Sequence, residues 1–254
     1  MSSLQVTWSI AARSLKLIPR LPSTFIPSLI MPVFLTIAFT GAFSGLVLLP
    51  RFPADEIINW FLPMTIVQGA AFAGVTTGMG VARDLENGFY DRLLSSPASR
   101  AALMAGPLVA SVLRGLLPFG LLLAAAPFVG ADLPGGPLGI GTLAVGSLGI
   151  ALVAGGWALG LALRFKTMQS APLMQTGIFL VFFLSTAQMP IELLTGWLHN
   201  VARFNPMTNV FELARQGFLG TVTWTHTWPG LVSLLGMAAL LLVFAARGMS
   251  RVIP

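Results

Sequence analysis

A helix needs about 20 residues to cross the hydrocarbon of a bilayer, and this chain contains six apolar stretches of about that length. They run roughly over 24–48, 57–81, 102–130, 138–163, 171–190 and 228–246. Stretches this long exceed what the core helices of a soluble domain require. Composition points the same way, because only 9% of the 254 residues are charged and 56% are hydrophobic, where a soluble domain carries about 25% charged residues. Such a chain cannot cover a water-facing surface. The expectation is an all-α membrane protein with six transmembrane helices in a single domain over 1–254, with no linker long enough for a second.

The formal charge of +6 does not point to nucleic acid, since the basic residues form no dense run and are spread between apolar segments. With no cysteine, disulfides, zinc-thiolate sites and thiol nucleophiles are excluded. The N-terminal apolar run is long and no small-residue cleavage site follows it, so a cleavable signal is not expected. Cytoplasmic loops carry an excess of Lys and Arg. Arg13, Lys16, Arg20, Arg83, Arg92, Arg100, Arg164, Lys166, Arg247 and Arg251 fall on one side of the six spans, against Arg51, Arg203 and Arg215 on the other. Both termini are therefore expected in the cytoplasm. Small residues four apart, Gly41 with Gly45, Gly74 with Gly78 and Gly156 with Gly160, let helices approach closely, chiefly within one bundle.

Three segments are not ordinary spans. In 3–20, Leu4, Trp8, Ala11 or Ala12, and Leu15 recur at helical spacing, while Ser9, Arg13, Lys16 and Arg20 mark another face. This is a basic amphipathic helix, either lying in the cytoplasmic interface with its cations at anionic headgroups or serving as a simple positive-inside anchor. The loop 83–100 holds six charges around Leu85, Phe89 and Leu93, an apolar stripe that ends where Ser95-Ser96-Pro97 breaks the pattern. It reads as a short docking helix or as a solvated loop with internal ion pairs. Residues 191–220 carry two apolar stripes, Ile191, Leu194, Leu198 and Val201, then Met207, Val210 or Phe211, Ala214 and Phe218, with Asn205-Pro206 as the turn between. Each half is about 18 Å of helix, half a bilayer, so the pair is expected to dip in from the outer face as a lid. Glu212 and Arg215 are spaced to pair on its wet face.

Catalytic constellations are missing. His199 and His226 lie outside any HExxH spacing, no GxSxG occurs, and neither Lys16 nor Lys166 follows a glycine, which excludes a Walker A loop. ATP, if used, is bound elsewhere. The one charge within the spans is Arg114. Its span, about 43 Å long if helical throughout, leaves it placed to snorkel or face a subunit interface more readily than to act as a substrate counter-ion. Ion-coupled transport usually leaves a buried acidic group on the pathway, and none is present in the spans.

The run Glu86-Asn87-Gly88, followed by Asp91-Arg92-Leu93-Leu94-Ser95-Ser96-Pro97-Ala98-Ser99-Arg100, and the later Asn205-Pro206-Met207-Thr208 with Glu212 and Arg215, resemble the landmarks of type-2 ABC exporter permeases, the family that includes the daunorubicin-resistance permeases. The resemblance covers essentially the whole chain. Asp91 stands where the family more often has Glu, and Ala105-Gly106-Pro107 where a Gly-Lys is common. The resemblance implies a cytoplasmic coupling helix around 84–94 that docks on a separate ABC ATPase through Asp84, Glu86, Gly88, Phe89, Asp91 and Arg92. It implies an N-terminal interfacial helix, and an extracellular re-entrant helix pair gated by Asn205, Pro206, Phe211, Glu212 and Arg215. The implied unit pairs this chain with a second permease, identical or homologous, in the plasma membrane. ATP and magnesium sit on the partner ATPase, and this chain binds no cofactor or metal.

An uncharged cavity is expected between the second and fifth spans, with Gln68, Phe72, Gln175, Phe179 and Phe183 as candidate lining residues, each of which also reads as plain packing; such walls suit a hydrophobic or amphiphilic molecule such as a drug, antibiotic or lipid. The rival readings are an ion-coupled secondary transporter and a non-transporting membrane partner subunit.

Overall fold

A computed structural model of the chain describes residues 2–18, 22–94 and 99–250. Arg20, Arg251 and the Ser95 to Ala98 break lie outside the described residues, as does the side chain of Asp91. The described residues form helices α1 (Ser3–Lys16), α2 (Pro22–Ala42), α3 (Ile57–Glu86), α4 (Phe89–Leu94), α5 (Arg100–Ala125), α6 (Gly136–Phe165), α7 (Ala171–Phe183), α8 (Gly196–Phe204), α9 (Pro206–Leu219) and α10 (Trp224–Met249), with short 3-10 turns between them and no strand. Four segments are long and apolar enough to cross a membrane: Ile57–Glu86, Arg100–Val129, Gly136–Phe165 and Trp224–Met249. Two shorter apolar helices, Leu29–Ala42 and Met168–Phe183, accompany them. The stretch 171–190 is not one helix. It stops at Phe183 after about 20 Å and turns through residues 184–190.

Helix α3 is the axis of the bundle. It is buried along nearly its whole length, whereas most of α10 faces outward. Close packing around α3 needs small side chains, and Gly74 and Gly78 supply them: a Cβ at Gly74 would lie 2.8 Å from the amide nitrogen of Gly155, and one at Gly78 would sit 2.7 Å from the Ala158 carbonyl carbon. Gly156 and Gly160 do the same for α10, against Leu241 and Phe244. These pairs pack within one chain, as expected. Gly41 and Gly45 meet no other atom within 4 Å, so that pair makes no packing seam here.

Helix α1 begins with a capping box, Ser2 accepting from the Gln5 amide while the Gln5 side chain takes the Ser2 amide. It then runs in parallel along the first half of α5. The hydroxyls of Ser3 and Ser99 are 3.2 Å apart, Ile10 fills the space over Gly106, and Ser14 lies against Arg114. The expected apolar stripe is therefore split: Leu4 and Trp8 are 80% and 60% exposed, while Ala11 is fully buried. Packing against α5 rotates Arg13 inward, away from the headgroup position its spacing suggested.

This register is testable because the chain has no cysteine. A Ser3→Cys/Ser99→Cys double variant should form an intramolecular disulfide on mild oxidation, measured as loss of both free thiols. A Trp8→Cys/Ser99→Cys pair should not. Equal cross-linking of both pairs would show that α1 does not hold this register.

Candidate coupling site and apolar groove

The loop 83–100 is built differently from a single docking helix. Helix α3 continues through Leu85 to Glu86, Asn87 caps it, and Gly88 turns the chain at φ +64°, a left-handed conformation that glycine adopts without a Cβ penalty. The six-residue α4 follows. Leu85 is thus the last buried turn of α3 and not part of an α4 stripe, a correction that follows from the glycine.

Arg13 of α1 reaches this turn. Its two terminal nitrogens donate to both Asp84 oxygens at 2.5 and 2.9 Å, and its guanidinium lies 4.1 Å over the Phe89 ring. The Asp84 hydrogen bonds raise the Arg13 pKa, partly offset by burial. Phe89, expected as an exposed knob, is half-buried beneath that guanidinium. Tyr90 is 2% exposed and its hydroxyl donates to the Leu103 carbonyl at 3.0 Å. Pro107 explains this bond: having no N–H, it leaves the carbonyl four residues back without a helical donor, and Tyr90 supplies one. Burial, and then the Asp84 charge, push the Tyr90 hydroxyl well above the usual tyrosine range. Glu86 accepts from the Thr167 hydroxyl at 2.8 Å, tying the turn to the α6–α7 connection. Of the expected docking residues, Glu86 and Arg92 are exposed, Gly88 shapes the turn, and Asp84 and Phe89 are engaged by α1. Sequence spacing missed Tyr90 and Thr167. The Pro107 to Leu103 offset is the one signal that calls for a donor there.

Arg114 does not snorkel. It is 7% exposed and its Nη2 donates to the Ser14 carbonyl, one of the carbonyls that a helix end leaves unpaired.

At the opposite end of α3, α8 is largely exposed while α9 is embedded among α3, α6 and α10, with Met207, Val210, Phe211, Ala214 and Phe218 all buried. The pair is one surface helix and one core helix, not two equivalent halves of a lid. Asn205 holds their junction: its Oδ1 accepts from Met207 N at 2.9 Å, and its Nδ2 donates to Val181 and Leu184 carbonyls at 2.7 and 2.9 Å. Pro206 sits at the first helical position, where no N–H is needed.

Arg215 is 1% exposed and forms no ion pair with Glu212 within 4 Å. It donates to the carbonyls of Trp60 at 3.1 Å, Thr186 at 2.8 Å and Ala187, and stacks 3.7 Å over the Trp60 ring. The wet-face pair expected from the three-residue spacing is replaced by a buried guanidinium on main-chain acceptors. Glu212 is partly exposed.

Phe72, Phe179 and Phe183 form a continuous aromatic run from α3 to α7, with centroids 5.2 and 5.9 Å apart. Gln68 is buried with no partner for its side-chain oxygen, and Gln175 is exposed one turn from Phe179. A sizeable apolar groove lies elsewhere. A groove of about 910 Å³ opens on the other side of α7, between α6, α8 and α10, lined by Val153, Trp157, Val181, Phe204, Met237 and Leu241 with Asn200 and Asn205. None of the five expected cavity residues lines it.

Tyr90 is the single tyrosine, so phenolate absorbance reports it alone. Because burial and the Asp84 charge disfavour the phenolate in the folded chain, native stability is undiminished below the unfolded value of about 10 and falls as pH rises from there towards the folded value. Phenolate should therefore appear well above pH 10 in the native protein, and near that value after denaturation. Arg215→Gln should cost about 2–5 kcal/mol by stranding buried carbonyls, read as a lower unfolding midpoint in detergent. Arg203→Gln, on the exposed face of α8, should change it little.

Residues 5–219 match the family model described as ABC-2 type transporter. The chain is 25% identical to the daunorubicin resistance ABC transporter permease protein DrrB1 of Streptomyces coeruleorubidus, over 92% of this chain and 81% of that protein. It is 28% identical to the putative transport permease ycf38 of Pyropia yezoensis, over 82% and 72%. It is also 26% identical to the probable multidrug ABC transporter permease YbhR of Escherichia coli, over 68% of this chain and 49% of that protein. With more than four-fifths of its length inside the family model, and with the membrane-length helices that a permease requires, this chain belongs to the ABC-2 type transporter family.

Proposed function

We infer that this chain is the membrane-spanning subunit of an ATP-driven exporter that moves a hydrophobic or amphiphilic molecule out across the plasma membrane. The observation that carries this reading is the turn at 84–92, where one exposed element is fastened to three parts of the bundle: to α1 through Arg13 and Asp84, to α5 through Tyr90, and to the α6–α7 connection through Glu86. A push on Glu86 and Arg92 is thereby delivered to the helices around α3. The names of DrrB1 and YbhR and the 910 Å³ apolar groove support a drug-like or lipid-like cargo, since the groove is within the size of small-molecule sites.

In this reading α2 and α7 complete six crossings, the basic end of α3 is cytoplasmic, and both termini lie there. Two permeases, identical or homologous, assemble with two ABC ATPase subunits that bind ATP and magnesium. ATP-driven closure of the ATPases displaces α4, and α1, α3 and α5 follow as a unit. Asn205, Pro206, Phe211 and Arg215 form the rigid outer frame past which cargo leaves, and the run of Phe72, Phe179 and Phe183, with Gln68 and Gln175, faces the transport path.

The tagged chain, purified in mild detergent with its neighbouring ATPase, should carry that ATPase stoichiometrically. Arg92→Ala, which removes an exposed cation and no internal contact seen among the described residues, should weaken ATPase retention and cargo transport by about tenfold, a typical effect for a contributing interface residue, with insertion unchanged. A chain that purifies alone and exports normally with Arg92→Ala would sink this reading.

A further inference from the structure

Arg114 is half used. Its Nη2 holds the Ser14 carbonyl, yet its Nε has no partner although the side chain is almost fully buried. A buried donor without an acceptor calls for an explanation. Arg114 lines a cavity of about 210 Å³ together with Arg13 and Arg83, enclosed by Leu17, Thr76 and Met79. A second cavity of about 200 Å³ shares Arg13, Gly80, Asp84 and Arg114 with it. The one carboxylate there, Asp84, is held at both oxygens by Arg13, and the Arg83 guanidinium makes no hydrogen bond or ion pair among the described residues. Three guanidinium groups thus line a partly open pocket with a single carboxylate, leaving a surplus of two positive charges there.

We propose that this pocket binds a phosphate group, that of an anionic phospholipid in the leaflet at the basic end of the bundle. Guanidinium groups match phosphate oxygens in pairs and give up their hydration more readily than ammonium groups do. An incoming phosphate supplies the missing acceptor for Arg114 and neutralises Arg83. The lipid source follows from position: Leu4 and Trp8 leave α1 with an exposed apolar face of the kind that lies in the acyl boundary, while Leu17, Ile18 and Met79 give the pocket apolar walls suited to a glycerol backbone. Bound there, the phosphate fastens the C-terminal end of α1 to α3 and α5 beside Asp84, so the occupied lipid site sets how firmly α1 follows the 84–92 turn. The binding itself is independent of any ATPase partner.

The test uses the full chain, delipidated in mild detergent and titrated separately with phosphatidylglycerol, phosphatidylcholine and inorganic phosphate, with occupancy read by native mass spectrometry. Arg83→Gln removes charge. Gly80→Leu fills the pocket, because a Cβ at Gly80 meets nothing within 4 Å, and it leaves every charge in place. Phosphatidylglycerol should bind at least about tenfold more tightly than phosphatidylcholine, and each variant should abolish most of that preference at an unchanged unfolding midpoint. Binding of inorganic phosphate without preference between the lipids, lost in both variants, would keep the anion site and assign it to a soluble phosphate. A preference for phosphatidylglycerol that survives both variants, or no binding of either anion, would overturn the site.

Discussion

The guanidinium of Arg215 pairs the main-chain groups that a break in the backbone after α7 leaves open. Main-chain groups at bilayer depth must be paired inside the protein, and non-helical backbone is tolerated only where protein buries it. After α7 stops at Phe183, the carbonyls of Thr186 and Ala187 accept from Arg215, that of Gln188 from the Trp60 indole at 3.1 Å, and those of Val181 and Leu184 from Asn205. Every one of these donors sits on α3, α9 or the residue that starts α9. The short α7, the embedded α9 and the start of α3 therefore stand or fall together, and the apolar groove on one flank of α7 exists because α7 ends where it does.

The same requirement organises the other end of α3. Pro107 frees the Leu103 carbonyl and Tyr90 takes it; α1 ends with an unpaired Ser14 carbonyl and Arg114 takes it. The first repair joins the consecutive helices α4 and α5, and the second joins α5 to α1, 100 residues away. The helices α1, α4 and α5 are thus connected by the polar leftovers of helix ends and prolines, while apolar packing, which lacks direction and differs little between protein and lipid, supplies the close fit along α3 and α6 through glycine and alanine.

A bundle tied in this way has a stiff frame and two places where force or a ligand can enter. At the basic end the exposed charges of Glu86 and Arg92 lie on a turn whose neighbours, Asp84 and Phe89, are clamped by Arg13. At the other end Arg215 ties the start of α3, the segment after α7 and α9 into one junction through three main-chain carbonyls, a fixed frame more than a flap. Phe89 thereby changes meaning: it packs under Arg13, and its removal would loosen the contact between α1 and the turn as well as any docking surface.

The sequence by itself determined that this is a helical membrane protein, that its charge is asymmetric, that 83–100 and 191–220 are not spans, and that the chain resembles type-2 ABC permeases. These features are additive along the chain: hydropathy, length and the landmark residues can be read one segment at a time. The packing role of Gly74, Gly78, Gly156 and Gly160 was legible for the same reason. Only the tertiary structure decided that Arg13 turns to Asp84 instead of the headgroups, that Arg215 bonds main-chain carbonyls instead of Glu212, that α9 is core, and that the 910 Å³ groove is not lined by Gln68, Phe72, Gln175, Phe179 or Phe183. In each case a long side chain or a helix face had several partners within reach of its spacing. The choice fell to whichever unpaired backbone or carboxylate group the folded chain brought beside it.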